Sequence, residues 1–288
     1  MGEVDDAGGG DVSPFPQVEK PVGYHQDFEW HSRGMMVDFV WSRGLFRDRY
    51  VTRTKRGIEE NDNLRIGKGT HAIALRDGLE LQNMRKIPKS ALTSNGRKVG
   101  NRWTKFCKLD ENQGKTLLLE KQYQLCEDLS AALHEKIGRL IDDPRSKREW
   151  EHRWNGILPY RMKADLVAPE LDGMICIDLK TARDIHPLGF RHEVKSRLLW
   201  LQAAHYTMGV EDEFQLPCRF IFACVRKQEP HLVKLYEVPE STLAIARRQH
   251  RKISLEILRC REENDWREPN DDMIEEVFLA EKDMRLNF

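Results

Sequence analysis

Residues 150–169, WEHRWNGILPYRMKADLVAP, and residues 173–182, GMICIDLKTA, decide the fold of this chain. Apolar and polar residues alternate along the first stretch, and the second is an almost continuous apolar run, and both patterns are typical of β-strands. The dipeptide Asp172-Gly173 between them favours a tight turn. The sequence therefore predicts strands joined by a hairpin, with the last strand inside the core.

Three charged residues meet on this predicted hairpin. Side chains alternate faces along a strand, so Asp178 and Lys180 point the same way, and the turn folds Asp165 back beside Asp178. Two neighbouring carboxylates repel each other, and a divalent cation with oxygen ligands removes that repulsion. Because an Asp-x-Lys pair alone is also common as a plain surface ion pair, the prediction of a metal site depends on Asp165.

A second pair of acids precedes the hairpin. In the segment REWEHRW, Glu149 and Glu151 share one face of a strand, and Trp150 and Trp154 share the other. The strand pattern alone does not choose between the two glutamates.

Helices are predicted on both sides of this region. A helix from about Leu188 to Met208 carries Gln202 and Tyr206 four residues apart, and therefore on one face. Upstream, GKGTHAIAL places His71 four residues after a glycine on a short apolar helix. A histidine in such a place is more often a core residue than a ligand.

We predict one domain at residues 21–288, after a disordered tail at residues 1–20 that is rich in Gly, Asp and Pro. Within the domain, residues 28–140 are mainly helical, residues 145–265 form the core, and residues 266–288 are an acidic tail. No apolar run approaches the ~20 residues that span a bilayer. The first thirty residues also lack the basic region followed by an apolar region that is typical of a signal peptide. We therefore expect a cytoplasmic protein with no membrane partner.

Charge is balanced overall but uneven locally. The chain has 288 residues with 47 basic and 47 acidic side chains, so its total charge does not indicate a polyanionic partner. Residues 81–109, however, contain eight basic residues and no acid. We interpret this basic segment, with Arg97, Lys98, Arg102 and Lys105, as a candidate DNA contact, a solvated surface being the alternative.

The candidate residues follow one another in a recognisable order: His71, Glu149, Asp165, Asp178-x-Lys180 and Gln202-x-x-x-Tyr206. This order resembles the PD-(D/E)XK nucleases, within them the RecB-like group, and most of all the RecE-type exonucleases (the exodeoxyribonuclease VIII nuclease domain). The family's (K/R)-x-(R/K)-P-D strand resembles Arg161, Lys163 and Asp165, with Ala164 in place of proline. The family's spacing from the first acid to its tryptophan favours Glu149. The resemblance covers about residues 60–240.

The resemblance implies an α/β fold with a restriction-endonuclease-like core, in which helices flank a mixed central β-sheet. It implies a Mg²⁺-dependent deoxyribonuclease, with Mn²⁺ as an alternative ion, that digests linear double-stranded DNA from 5′ to 3′ in recombination or repair. The partners it implies are DNA, further copies of the chain in a ring-shaped trimer or tetramer, and a single-strand annealing recombinase. No iron–sulfur cluster is expected, because Cys218, Cys224 and Cys260 are wrongly spaced.

The resemblance also assigns roles. The metal ligands it implies are His71, Asp165, Asp178 and the backbone carbonyl of Leu179. Lys180 would position the attacking water, and Glu149 would bind a second metal or orient the nucleophile. The residues implied to contact DNA, besides the basic segment, are Arg161, Lys163, Gln202 and Tyr206. Two alternatives stay open: an endonuclease or single-strand nuclease on the same core, and a non-catalytic nucleic-acid-binding module.

Overall fold

The computed structural model describes residues 28–55 and 61–269. The tail predicted at residues 1–20, and residues 270–288 of the predicted acidic tail, lie outside these ranges. The described α-helices are α1 Arg33–Trp41, α2 Arg43–Phe46, α3 Asp62–Ala74, α4 Gly78–Asn83, α5 Gly100–Lys108, α6 Glu120–Ile141, α7 Pro187–Ser196, α8 Leu199–Phe214 and α9 Glu240–Glu263, and a π-helical turn, Arg47–Val51, follows α2. The described strands are β1 Met84–Lys86, β2 Thr116–Leu118, β3 Lys147–Asn155, β4 Pro159–Pro169, β5 Met174–Ala182, β6 Cys218–Arg226 and β7 Val233–Val238.

Strands β3 to β7 form one mixed sheet in chain order, in which β5 and β6 run parallel and the other neighbours run antiparallel. The turn predicted at Asp172-Gly173 joins β4 to β5. Glycine is required there, because a Cβ atom on Gly173 would lie 2.5 Å from the carbonyl oxygen of Pro217. The predicted mixed α/β fold is thus confirmed.

Helices cover both faces of the sheet, which explains the continuous apolar run of β5. Met174 and Cys176 point into a core layer shared with α1, α8 and α9. Ile175, Ile177 and Leu179 point into a second layer formed with α3 and α6. The charged residues near the end of β5 therefore lie where these two layers meet the protein surface.

The single helix predicted from about Leu188 to Met208 is wrong, because the structure has two helices there. Helix α7 ends at Ser196 and α8 begins at Leu199. Between them Leu198 has a φ of +50°, a left-handed conformation that ends a helix and that leucine rarely adopts. Hydrophobic periodicity cannot reveal this break, because four apolar residues in a row, residues 198–201, run from the break into α8.

The basic segment forms a small layer beside α3. It contains β1, a 3₁₀ turn at Lys89–Ala91 and α5, and its apolar residues pack in a cluster around Phe106 and Leu117. Lys98 attaches it to the start of α3, with its Nζ 2.9 Å from a carboxylate oxygen of Asp62. Within the described ranges, no helix combines the length and apolar character needed to cross a membrane.

Candidate active site

The pairing of β4 with β5 ends beside two aspartates. The last pair of the ladder is Leu166–Ile177, and the next position in that register places Asp165 opposite Asp178. There the Oδ2 atom of Asp165 accepts a hydrogen bond of 2.7 Å from the backbone N–H of Leu179. A carboxylate thus takes over a backbone donor of β5, and both aspartates meet at the point where the strands stop pairing.

Glu149 and His71 reach the same point from β3 and α3. The register that pairs Trp150 with Ala164 places Glu149 opposite Asp165. Glu149 has a φ of +48°, which costs a non-glycine residue about 1 kcal/mol or more. The Nδ1 atom of His71 lies 3.5 Å from Asp165 Oδ2. One ligand atom each from His71, Glu149 and Asp165 all lie within 4.8 Å of one another.

The structure distinguishes the two glutamates that the strand pattern left open. Glu149 belongs to the group of potential ligands with His71 and Asp165. Glu151, two residues later, is exposed and pairs across the sheet with Lys163. The geometry therefore favours Glu149 as the first acid.

Lysines and one glutamine hold the carboxylates. Lys163 Nζ lies 2.8 Å from a carboxylate oxygen of Glu149, and Lys180 Nζ lies 2.6 Å from one of Asp178. Gln202, in the first turn of α8, donates from Nε2 to Asp178 Oδ1 and accepts from Lys180 Nζ at 3.2 Å. The side-chain amide of Gln202 thereby fixes the relative orientation of Asp178 and Lys180.

The charges shift one another's pKa values. Burial alone would lower the pKa of His71, but the charge and hydrogen bond of Asp165 outweigh it and raise that pKa to about 9. Burial opposes ionisation of Asp165, yet the charge of His71 prevails and lowers its pKa. Burial raises the pKa of Asp178 and of Glu149, and the charge of Asp165 acts in the same direction. The cationic side chains of the site therefore do not fully compensate the negative charge of its carboxylates.

This donor set fits a divalent cation. Glu149 and Asp165 offer oxygen, the donor that Mg²⁺ and Mn²⁺ prefer, and Asp178 adjoins them. The imidazole of His71 adds a nitrogen ligand, which suits Mn²⁺ or another transition metal as well. The carboxylate of Asp165 stabilises the protonated form of His71, and a cation bound here would displace that proton.

A cleft of about 630 Å³ opens beside these residues. Its walls come from α3, the end of β5, the following loop and α7, and both His71 and Lys180 reach into it. Cationic side chains dominate the lining: Lys68, Lys180, Arg183, Arg197 and Lys227, against Asp184 and Glu193. Such a concave, mainly cationic surface suits a polyanion.

Sequence reasoning missed four of these lining cations. Lys68 stands three residues before His71 on α3, and Arg183 stands three residues after Lys180 at the end of β5. The spacing of Lys68 could have identified it, because residues three apart on a helix share a face. Arg183 lies in the loop just after β5, where a spacing of three residues does not predict a shared face. Arg197 follows the end of α7 and Lys227 lies in the loop after β6, and no sequence signal placed them here.

The residues proposed to contact DNA differ in accessibility. Arg97, Arg102 and Lys105 are exposed, whereas Lys163 is held by Glu149. Arg161 is only 2% exposed and lies in the interior of the sheet. A buried guanidinium cannot meet a DNA backbone, so the structure argues against that role for Arg161.

Tyr206 lies one turn after Gln202 on α8, as predicted. Its ring is half-buried and packs edge-on against Phe220, with 6.3 Å between centroids. On α8, Gln202 therefore contacts Asp178 and Lys180, while the ring of Tyr206 packs against the core.

The family described as "PDDEXK-like domain of unknown function (DUF3799)" matches residues 51–272. No curated protein matches the chain. Among solved structures, a protein of Eubacterium rectale named "Putative exonuclease" shares 14% identity at a TM-score of 0.57. That alignment covers 96% of this chain and 100% of the other. A second structure, SSO0001, shares 15% identity over 67% of this chain and 86% of its own, at a TM-score of 0.27.

Proposed function

Because this chain belongs to the PDDEXK-like family DUF3799, we propose that it is a metal-dependent deoxyribonuclease that degrades linear DNA from an end. The observation that carries the proposal is the convergence of His71, Glu149, Asp165 and Asp178 beside Lys180, at the rim of a cationic cleft. The name of the Eubacterium rectale protein supports an exonuclease over other nucleases.

The residues that would hold a divalent cation are Asp165, Asp178, Glu149 and His71, with Mg²⁺ as the proposed ion and Mn²⁺ as the alternative. The carbonyl of Leu179 is a further proposed ligand. When bound, such an ion supplies Lewis-acid polarisation of a phosphoryl oxygen and makes a water more acidic.

The protein's own side chains then place the reactants. Lys180 lies beside Asp178, one of the proposed ligands of the cation. From there it would donate hydrogen bonds to an attacking water and to the negative charge that develops on the phosphate. Gln202 holds Lys180 in that orientation, and a fixed orientation is worth large factors in rate. The cations of the cleft, Lys68 and Arg183 among them, would contact DNA phosphates without reading sequence.

The test is cleavage of end-labelled linear duplex DNA with Mg²⁺, beside a closed circular duplex, a single strand and an EDTA control. The proposal expects short products from the linear duplex alone, and none with EDTA. A product ladder from the closed circle would instead identify an endonuclease. Binding without cleavage in Mg²⁺ and in Mn²⁺ would identify a non-catalytic binding module.

Variants connect the activity to this site. Lys180→Ala and Asp178→Ala should abolish cleavage and keep the far-UV circular dichroism of the parent. Lys195→Ala removes an exposed lysine from α7 and serves as the matched control. Wild-type rates in Lys180→Ala would show that the cleavage comes from elsewhere.

The resemblance to the RecE type extends the proposal to 5′-to-3′ polarity, a ring of three or four copies, and cooperation with a single-strand annealing recombinase. Label placed on the 5′ end is released first if the polarity is 5′ to 3′, and label on the 3′ end is released first if it is the reverse. Light scattering gives the number of copies.

A further inference from the structure

Arg33 stands at the beginning of α1, in a segment that precedes the residues matched by the family. Its Nη2 atom donates to the carbonyl oxygens of Arg197 at 2.5 Å and of Leu198 at 3.3 Å. These two carbonyls form the corner at which α7 ends and α8 begins. A guanidinium there satisfies backbone acceptors and meets the negative end of the α7 dipole.

The base from which Arg33 reaches this corner is rigid. His31 pairs with the edge of β4: its N–H donates to Pro159 at 2.7 Å, and its carbonyl accepts from the N–H of Arg161 at 3.1 Å. Residues 35–39 of α1 are buried. The segment around Arg33 is therefore part of the core, and its side chain links that core to the corner.

The corner determines where the active-site end of α8 lies. Leu198 is left-handed, with a φ of +50°, and no side chain caps the beginning of α8. Gln202 follows four residues later and contacts both Asp178 and Lys180. Gln202 therefore connects the corner to Asp178 and Lys180 within about one helical turn.

The charge of the Arg33 guanidinium also interacts with groups of the active site. Burial lowers its pKa, and the charges of Tyr206 and of Asp178 oppose that change. Its Nε atom is buried, and among the described residues no group accepts a hydrogen bond from it. The guanidinium therefore contributes through its hydrogen bonds to the corner and through its positive charge near Asp178.

We propose that Arg33 is a positioning residue of the active site, which holds the Arg197–Leu198 corner and thereby orients Gln202 toward Asp178 and Lys180. The proposal rests on the proposed nuclease function. It assigns a role to a residue that precedes the segment matched by the family.

The first test compares cleavage kinetics of Arg33→Ala, Arg33→Lys and Arg49→Ala. Arg49 is the matched control, because it is a similarly covered arginine of the same segment that pairs with Asp38 at 2.7 Å. Arg33→Ala should lower kcat by about 10- to 100-fold, with KM within about twofold of the parent, since small misplacements cost rate. Arg33→Lys should recover part of the loss, and Arg49→Ala should keep the parental kcat per folded molecule.

A double mutant shows whether Arg33 acts through Gln202. If it does, Arg33→Ala combined with Gln202→Ala should be no more than about twofold slower than Gln202→Ala alone. Multiplying effects would overturn the proposal, and so would a parental kcat in folded Arg33→Ala.

Hydrogen exchange gives a readout that does not depend on cleavage. Backbone amides in the first two turns of α8, residues 199–206, should exchange about tenfold faster or more in Arg33→Ala, but not in Arg49→Ala. Unchanged exchange would overturn the proposal even if the chain cuts DNA. An inactive parent with faster exchange in Arg33→Ala would instead overturn the nuclease function and leave the structural link in place.

Discussion

Lowering the pH should destabilise the packing of α8 on the sheet, because buried histidines hold it there in their neutral form. His205, three residues after Gln202 on α8, donates from Nε2 to the carbonyl of Arg161 at 2.9 Å. Its Nδ1 is then an acceptor, so Nε2 of His250, 3.0 Å away, must be the donor. Both rings are buried and neutral, and they leave no room for a second proton between them.

The magnitude follows from the pKa of His250. Burial lowers it from 6.5 to about 4. Because the folded pKa is the lower one, the stabilisation is complete above pH 6.5 and is lost as the pH falls toward 4. Each pH unit in that window costs about 1.4 kcal/mol, so His250 alone costs about 2 kcal/mol between pH 7 and pH 5. Burial lowers the pKa of His205 and His31 as well, which adds to the loss.

The variant His250→Gln isolates this contribution. Its amide nitrogen can donate the same hydrogen bond to His205, but it does not titrate. Urea unfolding followed by circular dichroism at pH 7 and pH 5 gives the free energy of unfolding of both proteins. We expect the variant to lose about 2 kcal/mol less than the parent over this interval. Equal losses would refute the reasoning, because His250 would then take up its proton equally well in the folded and unfolded chain.

Three further predictions concern the site and the packing around it. Glu149→Gln should reduce cleavage by about 100-fold, and the matched Glu151→Gln by less than twofold; equal effects would remove the preference for Glu149. His71→Ala should shift the Mg²⁺ dependence of cleavage to higher concentration, and a titration identical to the parent's would make His71 a packing residue only. Gly209→Ala on α8 should destabilise the fold by about 1–3 kcal/mol, because its Cβ would lie 2.7 Å from the sulfur of Met162. The control Gly138→Ala meets only ordinary contacts and should be neutral or stabilising by up to about 1 kcal/mol; similar melting temperatures for the two variants would contradict the packing argument.

The parts of the fold that follow from local pattern were predictable. The alternation of β4, the apolar run of β5 and the turn at Asp172-Gly173 each reflect backbone geometry that a sequence expresses directly. The same rules placed Asp165 beside Asp178, because a hairpin has a fixed register.

Features that depend on distant partners were not predictable. The left-handed Leu198 that divides α7 from α8 is held by Arg33, a residue far away in the chain. Arg161 alternates with buried neighbours as an exposed cation would, but the strand around it is covered on both faces, so it lies inside. The spacing to Trp154 already favoured Glu149 over Glu151, but the closeness of Glu149 to His71 depends on the tertiary structure.

Anomalous X-ray scattering from a crystal soaked in Mn²⁺ tests most directly the claim that these carboxylates hold a divalent cation. The account predicts a peak within coordination distance of Asp165, with at least one further ligand from His71, Glu149 or Asp178, and no such peak in crystals of Asp165→Ala. Manganese bound only at surface carboxylates away from Asp165 would contradict it.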